Sequence, residues 1–457
     1  MAEPKRVTTY VYNGDGGAYC APTTALVNGI PIGVLCSKTV TETTDTNGSL
    51  GFSATATVPA NVRTWTYTYD SLGQLLTANG PRTDVTDITT YTYYTSNDAS
   101  GNYRIGDFNT VTNALGHVTT ISAYDGNGRP TSITDPNGLV TTLTYTPRGW
   151  LATRSAGGLL TQFTYDNVGQ LTKVTQPDGS FVSYAYDPAH RLTDITNAAG
   201  DTIHYTLDLM GNRTQEQVKD GLGAVKQQKG RVFDALSRLA TELNAANQII
   251  ASYTYDNKGN LKTQTQKYDA TVTNDAVTSF DYDPLNRLTK ITNALAGITQ
   301  YNYDGVDHLV SVTDPKTLIT NYTVDGLDNE KQLVSPDTGT TNGTYDAAGN
   351  LKTSTDARGK VSTYAYDALN HVTGITFSDT TPAIAFIYDD ITLGNFGKGR
   401  LTKFTHGTGN TTFKYDLLGR PIQKTQTTGT VIKTVSYGYD TVGRMASLTY
   451  PSGKVLT

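Results

Sequence analysis

The sequence predicts an all-β protein in which tandem β-hairpins form one long antiparallel sheet. Three observations lead to this fold class. A Tyr-x-Tyr-Asp pattern recurs along the chain, mostly at intervals of twenty to twenty-two residues. A residue that tolerates a left-handed backbone follows three positions after each aspartate. Charged residues make up 17% of the 457 residues, below the roughly 25% of an average domain, while Thr, Tyr and Gly are abundant.

The repeats align on the aspartate of this pattern. Thr146 takes its place in one copy, and Asp389 fits the spacing with a turn lengthened through Gly399. A period near twenty is typical of a stacked array, whose units bury apolar surface against their neighbours. The aligned aspartates are Asp70, Asp125, Asp166, Asp187, Asp208, Asp234, Asp256, Asp283, Asp304, Asp325, Asp346, Asp367, Asp416 and Asp440.

Most of these aspartates follow an aromatic pair that predicts a β-strand. Aromatic residues two positions apart, separated by Thr, Ala or Ser, share one face of a strand. The aspartate then opens a type I turn, because its carboxylate accepts backbone N–H groups. The tyrosines directly before an aligned aspartate include Tyr69, Tyr165, Tyr186, Tyr255, Tyr282, Tyr303, Tyr345, Tyr366, Tyr415 and Tyr439.

The third residue after the aspartate, here called the left-handed position, tests this interpretation. A hairpin that closes with a glycine bulge needs positive φ there. Nine copies have glycine and most others have Asn or Asp; Ser237 fits least well. The fifteen residues are Gly73, Gly128, Gly149, Gly169, Gly211, Gly259, Gly349, Gly419, Gly443, Asn286, Asn370, Asp307, Asp328, His190 and Ser237.

The residues after the turn complete the hairpin. A leucine two positions after the left-handed position, such as Leu171, pairs with the last tyrosine if the loop has three residues. Apolar residues three further on, such as Val174, fall on the opposite face by simple alternation. Either both faces of the sheet are partly covered, or a bulge shifts the alternation of side chains between the faces by one residue. A second turn, such as Gln176-Pro-Asp-Gly179, then returns the chain to the next tyrosine strand.

Two regions are expected. Residues 1–61 form a divergent first hairpin with an insertion over about 18–38 and a connector; residues 62–457 form the array, which we expect to continue beyond its C-terminal end. Cys20 and Cys36, the two cysteines, bracket the insertion. They are either a candidate disulfide, worth roughly 3 kcal/mol in an oxidising compartment, or two unlinked thiols. Departures around residues 219–229 and 267–276 predict longer hairpin ends.

Composition and motifs argue against several classes of function. The net charge is −5 with Lys and Arg scattered, so no basic stripe indicates nucleic-acid binding. No apolar run is long enough to span a bilayer, and no signal peptide is recognisable. The six histidines are dispersed, and no metal, cofactor or catalytic motif is found. We therefore expect no enzyme activity, no metal and no cofactor.

The Tyr-Asp-x-x-Gly-Arg/Gln/Asn-Leu pattern at this period resembles the RHS/YD-repeat family of bacterial polymorphic toxins, insecticidal toxin-complex components and teneurins. The resemblance runs from Thr9 to Thr457. It implies a sheet that spirals into a hollow shell around a C-terminal toxic domain, with delivery by a secretion apparatus. The closing core, self-cleavage site and cargo domain of complete members are not found. Asp135-Pro-Asn-Gly-Leu139 superficially resembles the cleavage motif, but we interpret it as an ordinary second turn.

These inferences predict a secreted or cell-surface, non-enzymatic scaffold that encapsulates a downstream toxic domain for bacterial competition or host intoxication. Its expected partners are that cargo, the remaining shell segments and a secretion apparatus. The alternative is an elongated adhesin-like array that binds glycans through rows of tyrosine, because aromatic faces with a polar tip stack on sugars. A closed hollow body would favour the first hypothesis, and an open rod retained on glycan columns the second.

Overall fold

The computed structural model describes residues 1–22, 26–27, 30–267 and 275–457. Within these ranges the fold is all-β, as predicted: one antiparallel sheet of 38 strands, with a separate two-stranded ribbon near the N-terminus. Its helical segments there are the short 3-10 helices Asp15–Gly17, Gly51–Ser53 and Thr392–Gly394. The expected longer hairpin end at 267–276 falls largely outside the described residues, as does part of the 18–38 insertion.

The strands follow one another as a meander in which consecutive strands pair, except that β2 pairs with β5 across the insertion. The first twelve strands are β1 (Ala2–Glu3), β2 (Arg6–Tyr12), β3 (Leu26–Val27), β4 (Ile30–Pro31), β5 (Leu35–Glu42), β6 (Val62–Tyr69), β7 (Leu75–Asn79), β8 (Ile88–Tyr93), β9 (Phe108–Thr112), β10 (Val118–Tyr124), β11 (Pro130–Thr134) and β12 (Val140–Tyr145).

The middle strands include the two departures expected around residues 219–229 and 267–276. Near residues 219–229 the extra length lies in the strands, because the turn between them is closed by an ordinary hydrogen bond from Asp220 N–H to the Ala224 carbonyl. These strands are β13 (Leu151–Ala156), β14 (Leu159–Tyr165), β15 (Leu171–Thr175), β16 (Phe181–Tyr186), β17 (Leu192–Asn197), β18 (Thr202–Leu207), β19 (Arg213–Lys219), β20 (Val225–Phe233), β21 (Leu239–Leu243), β22 (Ile249–Tyr255), β23 (Leu261–Gln266), β24 (Ala276–Tyr282), β25 (Leu288–Thr292) and β26 (Ile298–Tyr303).

The last fourteen strands continue the same alternation. They are β27 (Leu309–Thr313), β28 (Ile319–Val324), β29 (Glu330–Ser335), β30 (Gly339–Tyr345), β31 (Leu351–Thr355), β32 (Val361–Tyr366), β33 (Val372–Phe377), β34 (Ile384–Tyr388), β35 (Leu401–His406), β36 (Gly409–Tyr415), β37 (Pro421–Thr428), β38 (Val431–Tyr439), β39 (Met445–Thr449) and β40 (Val455–Leu456).

The chain divides into two compact units. The first contains residues 1–143, 303–310 and 320–457, and the second contains residues 144–302 and 311–319. The first unit therefore brings hairpins from both ends of the chain into contact. The second consists mainly of hairpins that are consecutive in sequence.

The register of each hairpin places the leucine and the later apolar residue on one face. In β14 and β15, Phe163 pairs with Val174 and Tyr165 pairs with Leu171, with a bulge between Thr164 and Tyr165. The extra residue of the bulge shifts the side-chain parity by one. The structure thus decides between the two alternatives left open by the sequence: a bulge, repeated in many hairpins, brings these apolar side chains to the same face as the tyrosines.

The two faces of the sheet differ in chemistry. In β12, Leu143 and Tyr145 are half-buried, whereas Thr142 and Thr144 on the opposite face are exposed. Threonines on that exposed face pair across strands through their hydroxyl groups, for example at 2.6 Å between Thr254 and Thr263. Few side chains are fully buried because the sheet is a single layer, so stability depends on contacts between neighbouring strands.

Candidate functional site

The recurring turn opened by the aspartate, here called the YD turn, is held by the aspartate itself. The Asp166 N–H donates to the Gln170 carbonyl at 3.0 Å, and its Oδ1 accepts the N–H groups of Val168 and Gln170, both at 2.9 Å. The same pair of contacts to Oδ1 is made by Asp70, Asp125, Asp187, Asp234, Asp256, Asp283, Asp304, Asp325, Asp346, Asp367 and Asp440.

All fifteen left-handed positions have positive φ, from 60° at Ser237 to 96° at Gly169. Ser237 therefore adopts the same backbone as the glycines. This φ is the conformation that a three-residue hairpin loop with a bulge requires. Tyr282 and Tyr303 end β24 and β26 in the same place as the other aligned tyrosines.

The tyrosine at the end of the first strand joins many of the repeats to the preceding one. The Tyr186 hydroxyl donates at 2.8 Å to the carbonyl of Leu171, the first residue of the second strand of the previous hairpin. Burial of this phenol raises its pKa. Equivalent bonds, between 2.7 and 3.1 Å, are made by Tyr69, Tyr93, Tyr165, Tyr255, Tyr345, Tyr366, Tyr388, Tyr415 and Tyr439. The aromatic pattern thus encodes a polar link between hairpins as well as a strand.

The fourth residue after the aspartate, here called the bridging position, has a role that the sequence analysis missed. In most YD turns its side chain reaches back to Oδ2 of the aspartate, at 2.6–3.1 Å. The Arg191 guanidinium and backbone N–H lower the pKa of the Asp187 carboxyl in this way. The bridging residues that make this contact are Arg129, Arg191, Arg238, Arg287, Arg420, Arg444, Asn212, Asn260, Asn329, Asn350, His308 and His371.

The bridging side chain also contacts the left-handed position of the next repeat. Where that position is polar, the two hydrogen-bond: Asn350 donates to Asn370 at 2.8 Å and Asn260 donates to Asn286 at 3.0 Å. The pairs Gln170 and His190, Asn212 and Ser237, and His308 and Asp328 follow the same rule. The signal for this pairing was present in the sequence, because Asn, Gln or His precedes each of these polar left-handed residues by one repeat.

In two repeats, glycine at the left-handed position makes room for a large side chain of the preceding repeat. A Cβ atom at Gly169 would lie 2.6 Å from Cζ2 of Trp150. Trp150 also packs against Tyr165, with ring centroids 5.3 Å apart. Arg400 blocks the equivalent space beside Gly419. At these two positions glycine is therefore required by close approach of the neighbouring repeat as well as by positive φ.

Within the first unit, hairpins from the two ends of the chain meet along a line of polar contacts, here called the seam. It lies between the connecting (second-turn) ends of the hairpins in residues 1–143 and the YD turns of residues 303–400. The Lys5 ammonium lies 2.6 Å from Asp304 Oδ2, and Arg6 donates to both carboxylate oxygens of Asp328 at 2.8 and 2.9 Å. Although burial opposes ionisation, Lys5 and the turn N–H groups lower the pKa of Asp304 to about 2.

The seam continues along the next YD turns. The Arg82 side chain is 2% exposed, donates to the Asp367 carbonyl and lies 3.7 Å from Asp346 Oδ2. His117 Nε2 lies 3.2 Å from Asp389 Oδ2. Further contacts join Asn61 to Asp325, Arg63 to Asn329, Glu42 to Gly326 and Asn137 to Lys398. Contacts between residues 261 to 322 positions apart thus hold two distant runs of hairpins side by side.

The seam also buries an apolar side chain of one YD turn. Leu327, the second residue after Asp325, is 2% exposed. This second residue is here called the tip position. In the second unit the tip residues Val168, Met210, Leu236 and Leu285 are 60%, 77%, 71% and 69% exposed. The same motif position is therefore covered where a seam is present and open to solvent in these turns.

The two cysteines are bonded to each other, with Cα atoms 5.3 Å apart. The Tyr69 N–H donates to the Cys20 carbonyl at 2.8 Å, so the bonded insertion contacts the first regular hairpin. Among the described residues, no group of three or more His, Cys, Asp or Glu side chains is arranged to hold a metal ion. Those residues also contain no helix with the length and apolar character needed to cross a bilayer.

Comparison with known proteins identifies the repeat. The family model for the RHS Repeat matches residues 124–160, 149–181, 165–202, 186–224, 282–319 and 345–382. The chain therefore contains RHS repeats over these residues. No curated protein sequence matches it.

The fold of this RHS-repeat chain is shared by one solved structure with a TM-score above 0.5, and two others match with lower scores. The crystal structure of TcdB2-TccC3-TEV is 14% identical with a TM-score of 0.53, over 94% of this chain and 27% of that one. The Photorhabdus luminescens Tc holotoxin pore is 14% identical with a TM-score of 0.49, over 92% and 26%. TcdB2-TccC3 is 13% identical with a TM-score of 0.44, over 99% and 28%. The RHS-repeat chain thus spans about a quarter of the length of these proteins.

Proposed function

We propose that this RHS-repeat chain is a wall segment of a shell that encloses a toxic domain and helps deliver it to competing bacteria or a host. The chain acts as a scaffold in this proposal, and catalysis belongs to the enclosed domain. The repeated aspartates, which are the most numerous candidate acid–base groups, support a scaffold role because turn N–H groups engage their carboxylates. A secreted or cell-surface location forms part of the proposal, since disulfides persist in oxidising compartments.

The seam is the observation that carries the proposal. A hairpin array used only as an extended rod has no need for its two edges to fit each other. Here the second-turn edge of one run of hairpins supplies Lys5, Arg6 and Arg82 to carboxylates on the YD edge of another run. Buried and half-buried ion pairs of this kind add specificity of alignment. Successive runs that dock edge to edge build a continuous wall.

In this proposal, further shell segments dock on the exposed tips of the second unit. Val168, Met210, Leu236 and Leu285 occupy the position that Leu327 occupies in the seam, and they are open to solvent. Burying four such side chains is worth about 1.5–3 kcal/mol each when complete. The missing cover is a second-turn edge of another RHS-repeat segment.

Charge supports the same partner. In one seam turn whose bridging residue is neutral, a cation from outside the turn approaches the motif carboxylate: Arg82 lies beside Asp346 and Asn350. Asp208 and Asp256 in the second unit also have an asparagine at the bridging position. We expect the partner edge to bring Lys or Arg to these two carboxylates, as charge-assisted pairing requires.

Electron microscopy and small-angle scattering of the product that carries its toxic domain test the proposal. We expect a closed hollow body in which that domain resists added protease. Arg82→Glu should open the seam and make the domain protease-sensitive, whereas Arg358→Glu, at a side chain that is 80% exposed, should not. An open rod that is retained on glycan columns, with a protease-sensitive domain in the unmodified protein, would overturn encapsulation in favour of carbohydrate binding.

A further inference from the structure

A hollow on the tyrosine face of the first unit is lined by three adjacent strands, β2, β5 and β6. Tyr10 pairs with Lys38 and Lys38 pairs with Trp65, so these three side chains form one row across the sheet. Directly paired residues of antiparallel strands share a face. A second row consists of Thr8, Val40 and Arg63. The hollow has a volume of about 300 Å3, and a YD turn of the seam forms one wall.

The positive charges of this hollow are incompletely neutralised. Its two acidic residues, Glu3 and Asp328, both pair with Arg6, at 2.8 Å each. Within the described part of the chain, Lys38 and Arg63 have no carboxylate at ion-pair distance. The Nη2 group of Arg63 donates a hydrogen bond to Oδ1 of Asn329, a neutral residue, at 2.7 Å. The Nε–H group of Arg63 has no acceptor in the described part of the chain. Two cations with no acidic partner therefore border the hollow.

Aromatic side chains stand beside these cations. The Lys38 ammonium lies 5.1 Å from the centroid of the Trp65 ring, and this cation–π contact restrains the long side chain. The Tyr10 side chain is 42% exposed and offers an accessible ring with a polar tip. The combination of restrained cations, an aromatic wall and the Thr8 hydroxyl suits an anion attached to a flat or ring-shaped body.

We propose that this hollow binds a small carboxylate carried on a ring, with the carboxylate at Lys38 and Arg63 and the ring against Tyr10. The volume is at the lower end of ligand pockets, about the size needed for one sugar or one aromatic ring. Acidic sugars and aromatic acids share this chemistry and are the two sources to distinguish. This inference does not depend on the proposed shell function.

Tryptophan fluorescence gives a direct test because the chain has two tryptophans. Trp150→Phe leaves Trp65 as the single reporter. Titration with glucuronate and with benzoate should give a saturable fluorescence change for at least one of them, while glucose gives none and inorganic phosphate binds at least about tenfold more weakly. Lys38→Met should weaken binding by about tenfold or more, as expected for loss of one charge-assisted contact.

Lys173→Met is the matched control, because Lys173 also lies over an aromatic ring, 3.9 Å from the centroid of Phe181, outside the hollow. It should leave the affinity unchanged. Calorimetric titration of the chain that retains both tryptophans measures the same affinity if Trp150→Phe disturbs folding. Binding of glucuronate alone supports an acidic sugar, and binding of benzoate alone or of both supports an aromatic acid or a general ring carboxylate. No saturable binding, equal affinity for phosphate, or equal effects of the two lysine variants would overturn the proposal.

Discussion

Gly169→Val tests both the turn geometry and the contact between repeats. Gly169 has φ of 96°, a conformation in which a β-branched residue is strained by about 1–3 kcal/mol. Its Cβ would lie 2.6 Å from Cζ2 and 3.0 Å from Cε2 of Trp150. Overpacking of this kind adds about 1–3 kcal/mol. We therefore expect a loss of about 2–6 kcal/mol in the free energy of unfolding.

Gly128→Val separates the two contributions. Gly128 has φ of 76°, and a Cβ there would meet no atom within 4 Å. This control should lose the backbone term alone, about 1–3 kcal/mol. A double-mutant cycle with Trp150→Ala isolates the contact, because the truncated side chain relieves the overlap at residue 169.

Urea denaturation followed by circular dichroism measures the overall loss, and the fluorescence of Trp150 reports on the hairpin itself. Local reporting is needed because the stability of an array is a sum over repeats and their interfaces. A Gly169→Val variant as stable as the unmodified protein would refute the turn assignment. Equal losses at residues 169 and 128, with no coupling to Trp150, would refute the proposed contact between repeats.

Three further outcomes are expected. Tyr186→Phe should lose about 0.5–1.5 kcal/mol in urea denaturation with its hydroxyl hydrogen bond, more than Tyr184→Phe on the same strand; equal losses would exclude the link. Arg82→Ala, which removes a buried cation from the seam, should lose about 3–5 kcal/mol, whereas Arg358→Ala at an exposed site should change stability by less than about 0.5 kcal/mol. The pKa of Asp304 in the folded protein is about 2, below its ordinary value of 3.8, so its contribution to folding stability is full above pH 3.8 and is lost as the pH falls towards 2. Asp304→Asn should therefore make the melting temperature less dependent on pH in that range. A pH profile of the melting temperature that the substitution leaves unchanged would contradict this assignment.

The sequence alone determined the repeat and its turns. The aspartate contacts residues two and four positions away, and the left-handed position lies within the same loop, so each YD turn is specified by a few consecutive residues. Short-range geometry of this kind repeats wherever its residues repeat. The pairing of Tyr165 with Leu171 followed from the loop length for the same reason.

Contacts one repeat apart were encoded in the sequence but became readable through the structure. Simple alternation could not assign Val174 to one face of the sheet, because a bulge inserts a residue and so reverses which face the following side chains occupy. The bridging residue Asn350 and the left-handed Asn370 are twenty positions apart, and nothing in either turn alone indicates that they touch. The lateral spacing of adjacent hairpins decides this contact.

The seam was decided by tertiary structure alone. Lys5 and Asp304 are 299 positions apart, and their contact depends on the summed twist and curvature of all the hairpins between them. Small rotations between paired strands accumulate over such a distance, and their sum cannot be predicted from any one local motif. For the same reason, no sequence pattern indicates that Leu327 is buried while Met210, at the same motif position, is exposed. Local turn chemistry therefore fixes the hairpin, whereas the accumulated geometry of the sheet fixes which edges meet.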